Sequence, residues 1–249
     1  MKKLISLMTF VLALVSVCLA QDEKKYFEMR KYTNHEGKMD DLISRFENHT
    51  LKLFEKHGIE NIAYFLPTED EPKFLLFILA YPDKESRNSL WNSFANDPEW
   101  KKVHQASEAN GPLVANVDQT FMTLSGELSP KIVKDLPKGE KIFELRKYYM
   151  FEGRVENIHA RFRDHTRELF QNHGMTNVMY WYTEEPNGEQ SKLVYLLAHQ
   201  SEHAAKESFS QFGKDPKWVK VRDDSEKDGK IVEKIDSFYL RSLPFSPLK

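Results

Sequence analysis

The amino-acid sequence predicts an α+β fold in which two tandem ferredoxin-like units form an intramolecular barrel of the dimeric α+β type. Three observations lead there. The chain is one unit written twice, each copy orders its elements as strand, helix, strand, strand, helix, strand, and one strand per copy is apolar on both faces. The duplication is anchored by Phe27-Glu28-Met29-Arg30-Lys31-Tyr32, which returns as Phe143-Glu144-Leu145-Arg146-Lys147-Tyr148, 116 positions later. At that offset Gly37/Gly153, Phe46/Phe162, His49/His165, His57/His173, Asn61/Asn177 and Tyr64/Tyr180 also match. A two-residue insertion near Pro186-Asn187-Gly188 shifts the offset to 118, and Phe94/Phe212, Asp97/Asp215, Pro98/Pro216, Trp100/Trp218 and Asp118/Asp236 continue the match. Two units of this size read as a duplicated domain rather than a solenoid.

Within the first copy, residues 25–33 read as a strand. Its alternation turns Glu28, Arg30 and Tyr32 to one face and Phe27 and Met29 to the other. Gly37 then opens a long helix whose apolar positions, Met39, Leu42, Ile43, Phe46, Leu53 and Phe54, follow the spacing of one buried face. His57-Gly58 ends it, with glycine suited to the left-handed position after the helix and the histidine near the negative end of the dipole. Residues 62–67 and 74–81 read as strands. The run Phe74 to Ala80 shows no alternation, so both its faces need cover; helices supply one layer, and a second sheet stacked face to face supplies the other. Residues 83–94 form a short helix. Asp97-Pro98-Glu99-Trp100 starts another, with Asp97 as N-cap and Pro98 at the first helical position. Residues 117–124 close the unit, giving the ferredoxin-like order.

The 249 residues are 40% hydrophobic and 30% charged, which suits a globular chain of two domains. The 36 basic and 38 acidic side chains are spread along the chain without a basic stripe, which argues against nucleic acid as a partner. Residues 1–20 read as a signal peptide: Lys2-Lys3, an apolar run from Leu4 to Val17, and a cleavage site at Cys18-Leu19-Ala20. The expected product begins at Gln21, has a net charge of −4, and is periplasmic or secreted, with no run long enough to span a membrane. Cys18, the single cysteine, also fits a loose lipobox, which makes a lipid anchor the second processing route. The expected domains are 21–125 and 141–249, joined by a Lys-, Gly- and Pro-rich linker at 126–140.

These motifs resemble the NIPSNAP family. The aromatic-Glu-apolar-Arg-x-Tyr strand leads into Gly37-Lys38 in one copy and Gly153-Arg154 in the other, and the Asp-Pro-x-Trp helix start occurs in both. The resemblance covers most of residues 25–241. It implies a dimeric α+β barrel, without implying a particular reaction. Relatives of that barrel include cofactor-independent monooxygenases, haem-handling enzymes and isomerases, a likeness of fold.

The candidate ligand-binding residues are Glu28, Arg30, Tyr32 and His49, with Glu144, Arg146, Tyr148 and His165. Residues two apart on a strand lie ~6.5–7 Å apart, so Glu28 can pair with Arg30 and tighten the barrel. The functional alternative has Arg30 holding a carbonyl or anionic group, with Tyr32 donating beside it. His49 and His165 sit on the apolar stripe of the long helix, either as core histidines or as general bases facing a pocket. His57 and His173 read as helix caps, and Asp97, Pro98 and Trp100 as structural. No metal and no cofactor are expected: His49 and His57 stand ~12 Å apart along a helix, and His199 and His203 lack counterparts in the first copy. The functional expectation is a small, partly apolar organic ligand bound between sheet and helices. The alternatives are a cofactor-independent monooxygenase or isomerase, and a protein-interaction module with a fully packed barrel.

Overall fold

The computed structural model describes residues 25–69, 73–129, 136, 139 and 141–249. The expected signal peptide, with Cys18, lies outside them. Eight strands close one antiparallel barrel in the order β1-β3-β2-β8-β5-β7-β6-β4. They are β1 (Tyr26–Asn34), β2 (Glu60–Pro67), β3 (Phe74–Tyr81), β4 (Val114–Leu124), β5 (Ile142–Met150), β6 (Thr176–Thr183), β7 (Leu193–His199) and β8 (Val232–Ser242). Each half contributes a sheet of four strands. The sheets join where β2 meets β8, with Leu66 opposite Arg241, and where β4 meets β6, with Thr123 opposite Tyr182.

Strand alternation sets the layers. Phe27, Met29, Phe65, Phe74, Leu76, Phe143, Leu145, Trp181 and Leu196 belong to one apolar cluster that fills the barrel. Leu75, Phe77 and Leu79 face the other way, against the helices of the first half. All eight residues of β3 and all seven of β7 are therefore buried, as a strand without alternation requires.

The helices are α1 (Met39–Arg45) and α2 (Leu51–Lys56), α3 (Lys84–Asn96), α4 (Pro98–Ser107), and in the second half α5 (Val155–Arg161), α6 (Arg167–Asn172), α7 (Glu202–Lys214) and α8 (Pro216–Ser225). Gly37 precedes α1 at φ +72° and Gly58 follows α2 at φ +75°, a region open to glycine at little cost. Asp97 caps α4, its carboxylate accepting from the Glu99 amide at 2.8 Å.

The long helix of the first copy is not one α-helix. Between α1 and α2 the turn Phe46–Thr50 is π-helical, the Leu51 amide reaching the Phe46 carbonyl; Phe162–Thr166 repeats it between α5 and α6. Each wide turn is matched by a threonine: Thr50 and Thr166, both 1% exposed, donate to the carbonyls of Arg45 and Arg161. The extra residue rotates the stripe, and His49 and His165 are exposed rather than on the buried face. That corrects the placing of both histidines on the apolar stripe; His49 instead lines a surface groove with Asp41, Ser44 and Lys102.

The halves also exchange their C-terminal segments. Ser125–Ser129 docks on the second half: Ser125 N–H donates to the Tyr180 carbonyl at 2.9 Å, Tyr180 N–H donates to Ser129 Oγ at 3.0 Å, and Leu128 is fully buried among Tyr148, Ile158 and Tyr180. Reciprocally, Leu243 N–H donates to the Tyr64 carbonyl, Tyr64 N–H donates to Ser246 Oγ, and Phe245 packs on the Tyr64 ring. The first residues assigned to the linker thus form a clasp. Leu128→Ala is expected to cost about 2–5 kcal/mol in urea unfolding, the range for a buried leucine; a loss below about 0.5 kcal/mol, ordinary for surface positions, would mean the clasp is ornamental.

Candidate functional site

The outer face of β1 places Glu28, Arg30 and Tyr32 under the first-half helices. Glu28 is completely buried, and its carboxylate is saturated by donors. Arg30 pairs with it at 2.5 Å, the Tyr81 hydroxyl and Gln119 each donate at 2.8 Å, and the Arg87 guanidinium from α3 forks onto both oxygens. The Arg30 guanidinium lies over Trp91, 4.2 Å from the ring centroid, and Arg87 approaches the same ring at 5.1 Å. Two cations therefore fix one indole from behind. Burial and the neighbouring Glu28 carboxylate push the Tyr81 phenol well above its ordinary range, so it donates to Glu28 throughout the physiological range.

In front of Trp91 opens a cleft of about 460 Å³ between the sheet and the helices. Tyr32, Phe46, Phe54, Trp91, Phe94 and Trp100 form its apolar wall. Arg45, His104 and Glu108 form a polar end. The Arg45 side chain is 4% exposed; its Nη1 donates to Ser107 Oγ and Glu108 Oε1, each at 3.1 Å, and its Nε has no partner among the described residues. Tyr32 is held above the ordinary phenol range by burial, which the Arg30 charge opposes in part. It is a proton donor here, not a base.

The second half repeats the plan with different chemistry. Glu144 is met by Arg146, by His199 Nε2 at 3.0 Å and by Ser237 Oγ at 2.7 Å. Burial raises this carboxyl, but the contacts from His199, Arg146 and Ser237 more than offset it and hold it below its ordinary 4.5. Ala205 stands where the repeat places Arg87, Phe209 replaces Trp91, and Arg146 lies 4.5 Å over that Phe209 ring. Tyr148 is buried against Phe162 and Tyr195.

Of the eight candidates, Tyr32 lines the cleft. Glu28 and Arg30 lie behind its Trp91 wall, Glu144, Arg146 and Tyr148 hold the equivalent layer of the second half, and His49 and His165 are at the surface. Sequence reasoning missed Arg45, His104 and Glu108, and it gave Trp100 only an anchoring role. One signal was present: Arg45/Arg161 and Glu108/Glu226 recur at the two repeat offsets, and each pair forms the same buried ion pair.

A family model described as NIPSNAP matches residues 27–126 and again 143–247. No curated protein matches the chain. Among solved structures, a candidate monooxygenase from Fusobacterium nucleatum aligns with a TM-score of 0.57 at 11% identity, over 88% of this chain and 93% of its own. An anthrone oxidase-like protein aligns at 0.54 and 10% identity, over 88% and 92%. A NIPSNAP family protein of unknown function from Agrobacterium tumefaciens has 22% identity and a TM-score of 0.39, covering 44% of this chain and 95% of its own. At these identities the likeness is one of fold.

Arg87→Ala should leave Glu28 short of its forked partner and cost about 3 kcal/mol in urea unfolding. Adding Tyr81→His, which copies the second half's solution, should restore part of the loss; a double variant no more stable than the single would refute this account. Acid unfolding tests Glu144. Its native value is depressed, so its contribution is complete above 4.5 and disappears as pH falls through the native value. Glu144→Gln should flatten the dependence of the urea midpoint on pH in that acid range, and an unchanged slope would show that Glu144 is not the group responsible.

Proposed function

The chain belongs to the NIPSNAP family through both of its halves, and from that premise we propose that the first-half cleft binds one small, partly apolar organic molecule carrying a hydrogen-bond acceptor. The observation that carries this reading is the cleft itself, an aromatic wall ending at a buried guanidinium whose Nε has no partner among the described residues. Few polar groups placed in an apolar pocket are what orient a ligand of this size. A ring would lie against Tyr32, Trp91 and Trp100, and its carbonyl or carboxylate would accept from Arg45.

The barrel interior supports a different role for the lumen. Phe27, Phe65, Phe74, Phe143 and Trp181 fill it with side chains, so the reading puts the ligand outside the barrel, under the helices. No helix among the described residues is long and apolar enough to cross a membrane. The charged start, apolar run and small-residue site of residues 1–20 support an exported protein, which would meet this ligand outside the cytoplasm.

An enzymatic form of the same reading is a cofactor-independent oxygenase or isomerase, two structural neighbours being a candidate monooxygenase and an anthrone oxidase-like protein. His104 favours it: the imidazole lines the cleft, 3.4 Å from Glu108, and can take a proton from a ligand while the neutral Tyr32 donates.

Native mass spectrometry of the purified protein, with titration of the aromatic anion 8-anilinonaphthalene-1-sulfonate, tests the proposal. The expected result is a co-purifying mass or saturable dye binding that weakens at least tenfold in Trp91→Ala and in Arg45→Met, about 1.4 kcal/mol. An apo mass together with dye binding unchanged in both variants would overturn it.

A further inference from the structure

Away from the cleft, the second half gathers three amines around one phenol, an arrangement the first half lacks. In the first half Lys31 of β1 pairs with Asp118 of β4 at 3.2 Å. The repeat sets Lys147 of β5 directly opposite Asp236 of β8, in the same register. There the carboxylate is already engaged: Asp236 accepts from the Tyr149 hydroxyl at 2.8 Å and pairs with Lys234 at 2.9 Å. Glu185, the other carboxylate facing Lys147, pairs with Lys192 at 2.7 Å and accepts from Thr183. Lys147 itself makes no ion pair among the described residues.

The Nζ atoms of Lys147, Lys192 and Lys234 all lie over the Tyr149 ring, 5.4, 5.5 and 4.9 Å from its centroid. Three cations share two carboxylates, and Lys147 is the unmatched one. Burial and the charges of Lys192 and Lys234 hold the Lys147 amine below the ordinary lysine range, with Glu185 and Asp236 pulling the other way. A lysine left without an ion pair of its own beside other cations gives up its proton more readily than a paired one and is the better nucleophile.

We propose that Lys147 is a nucleophilic amine and the covalent anchor of a second site, for a small carbonyl compound bearing an anionic group. The cluster holds three amines against two carboxylates, and that excess of positive charge draws the anion. The Lys147 lone pair attacks the carbonyl carbon and forms the C–N bond. The C–O bonds then break, and the carbonyl oxygen leaves as water with the two amine protons, leaving a neutral imine. No oxidant or reductant takes part.

Pyridoxal 5′-phosphate, an aldehyde with a phosphate, probes this on the full chain at neutral pH, with borohydride reducing any imine to a stable amine for peptide mapping. Lys147 should carry several-fold more label than Lys31, its paired counterpart, and the excess should shrink as pH rises toward 10.5, the ordinary lysine value. Lys147→Arg keeps the charge and should lose that label alone. Tyr149→Phe with Lys234→Ala frees Asp236 to pair with Lys147, as Asp118 pairs with Lys31, and should lower the label toward the Lys31 level. Equal labelling of Lys147 and Lys31, or a label undiminished in the double variant, would overturn the proposal. Equal labelling by pyridoxal without its phosphate would overturn the anionic part of the ligand assignment.

Discussion

A carboxylate with no access to water must be surrounded by donors, and Glu28 and Glu144 impose that condition on each half. The donors come from three directions: the same strand, its two neighbours in the sheet, and in the first half a helix. Arg87 in particular ties α3 to β1, because only a guanidinium can fork onto both oxygens while remaining over an indole. The orientation of Trp91, and with it the back wall of the cleft, follows from satisfying this one buried charge. The polar trio of β1 is a foundation, and the cleft is built on the ring it supports.

Much of the fold was legible because duplication and apolar runs are properties of the chain itself. The unbroken Phe74 to Ala80 run required cover on both faces, and only a second sheet could supply the inner layer. The π-helical turns were not legible. Counting at the helical period treats Phe46 to Leu53 as regular, whereas the register depends on whether Thr50 Oγ1 reaches the Arg45 carbonyl, a choice made by packing. His49 and His165 were misplaced for that reason. The cleft was half legible. Tyr32 and Trp91 could be reached from the repeat, but Arg45 comes from one helix and His104 and Glu108 from the end of another, and only the tertiary fold brings them together.

The two halves show one scaffold meeting one requirement by two chemistries. Tyr81, Arg87, Trp91 and Gln119 in the first correspond to His199, Ala205, Phe209 and Ser237 in the second. The first solution brings a second guanidinium beneath an indole. The second replaces that charge by an imidazole donor and a hydroxyl. At the inner end of the same strands the contrast reverses: Lys31 is paired and Lys147 is not. Divergence after duplication has thus left the backbone alone and redistributed charge, which is how a single chain can hold two unlike surfaces on one symmetric frame.

The exchanged tails carry a consequence for the order in which the molecule is made. Tyr64 and its neighbours receive Leu243, Phe245 and Ser246 from the segment after β8, and β2 finds its partner in β8 itself. The first half to be synthesised is therefore the last to be finished. Until β8 and residues 243–246 have left the ribosome, the β2 edge and the face around Tyr64 have nothing to cover them, so the native barrel closes only once the second half has been made.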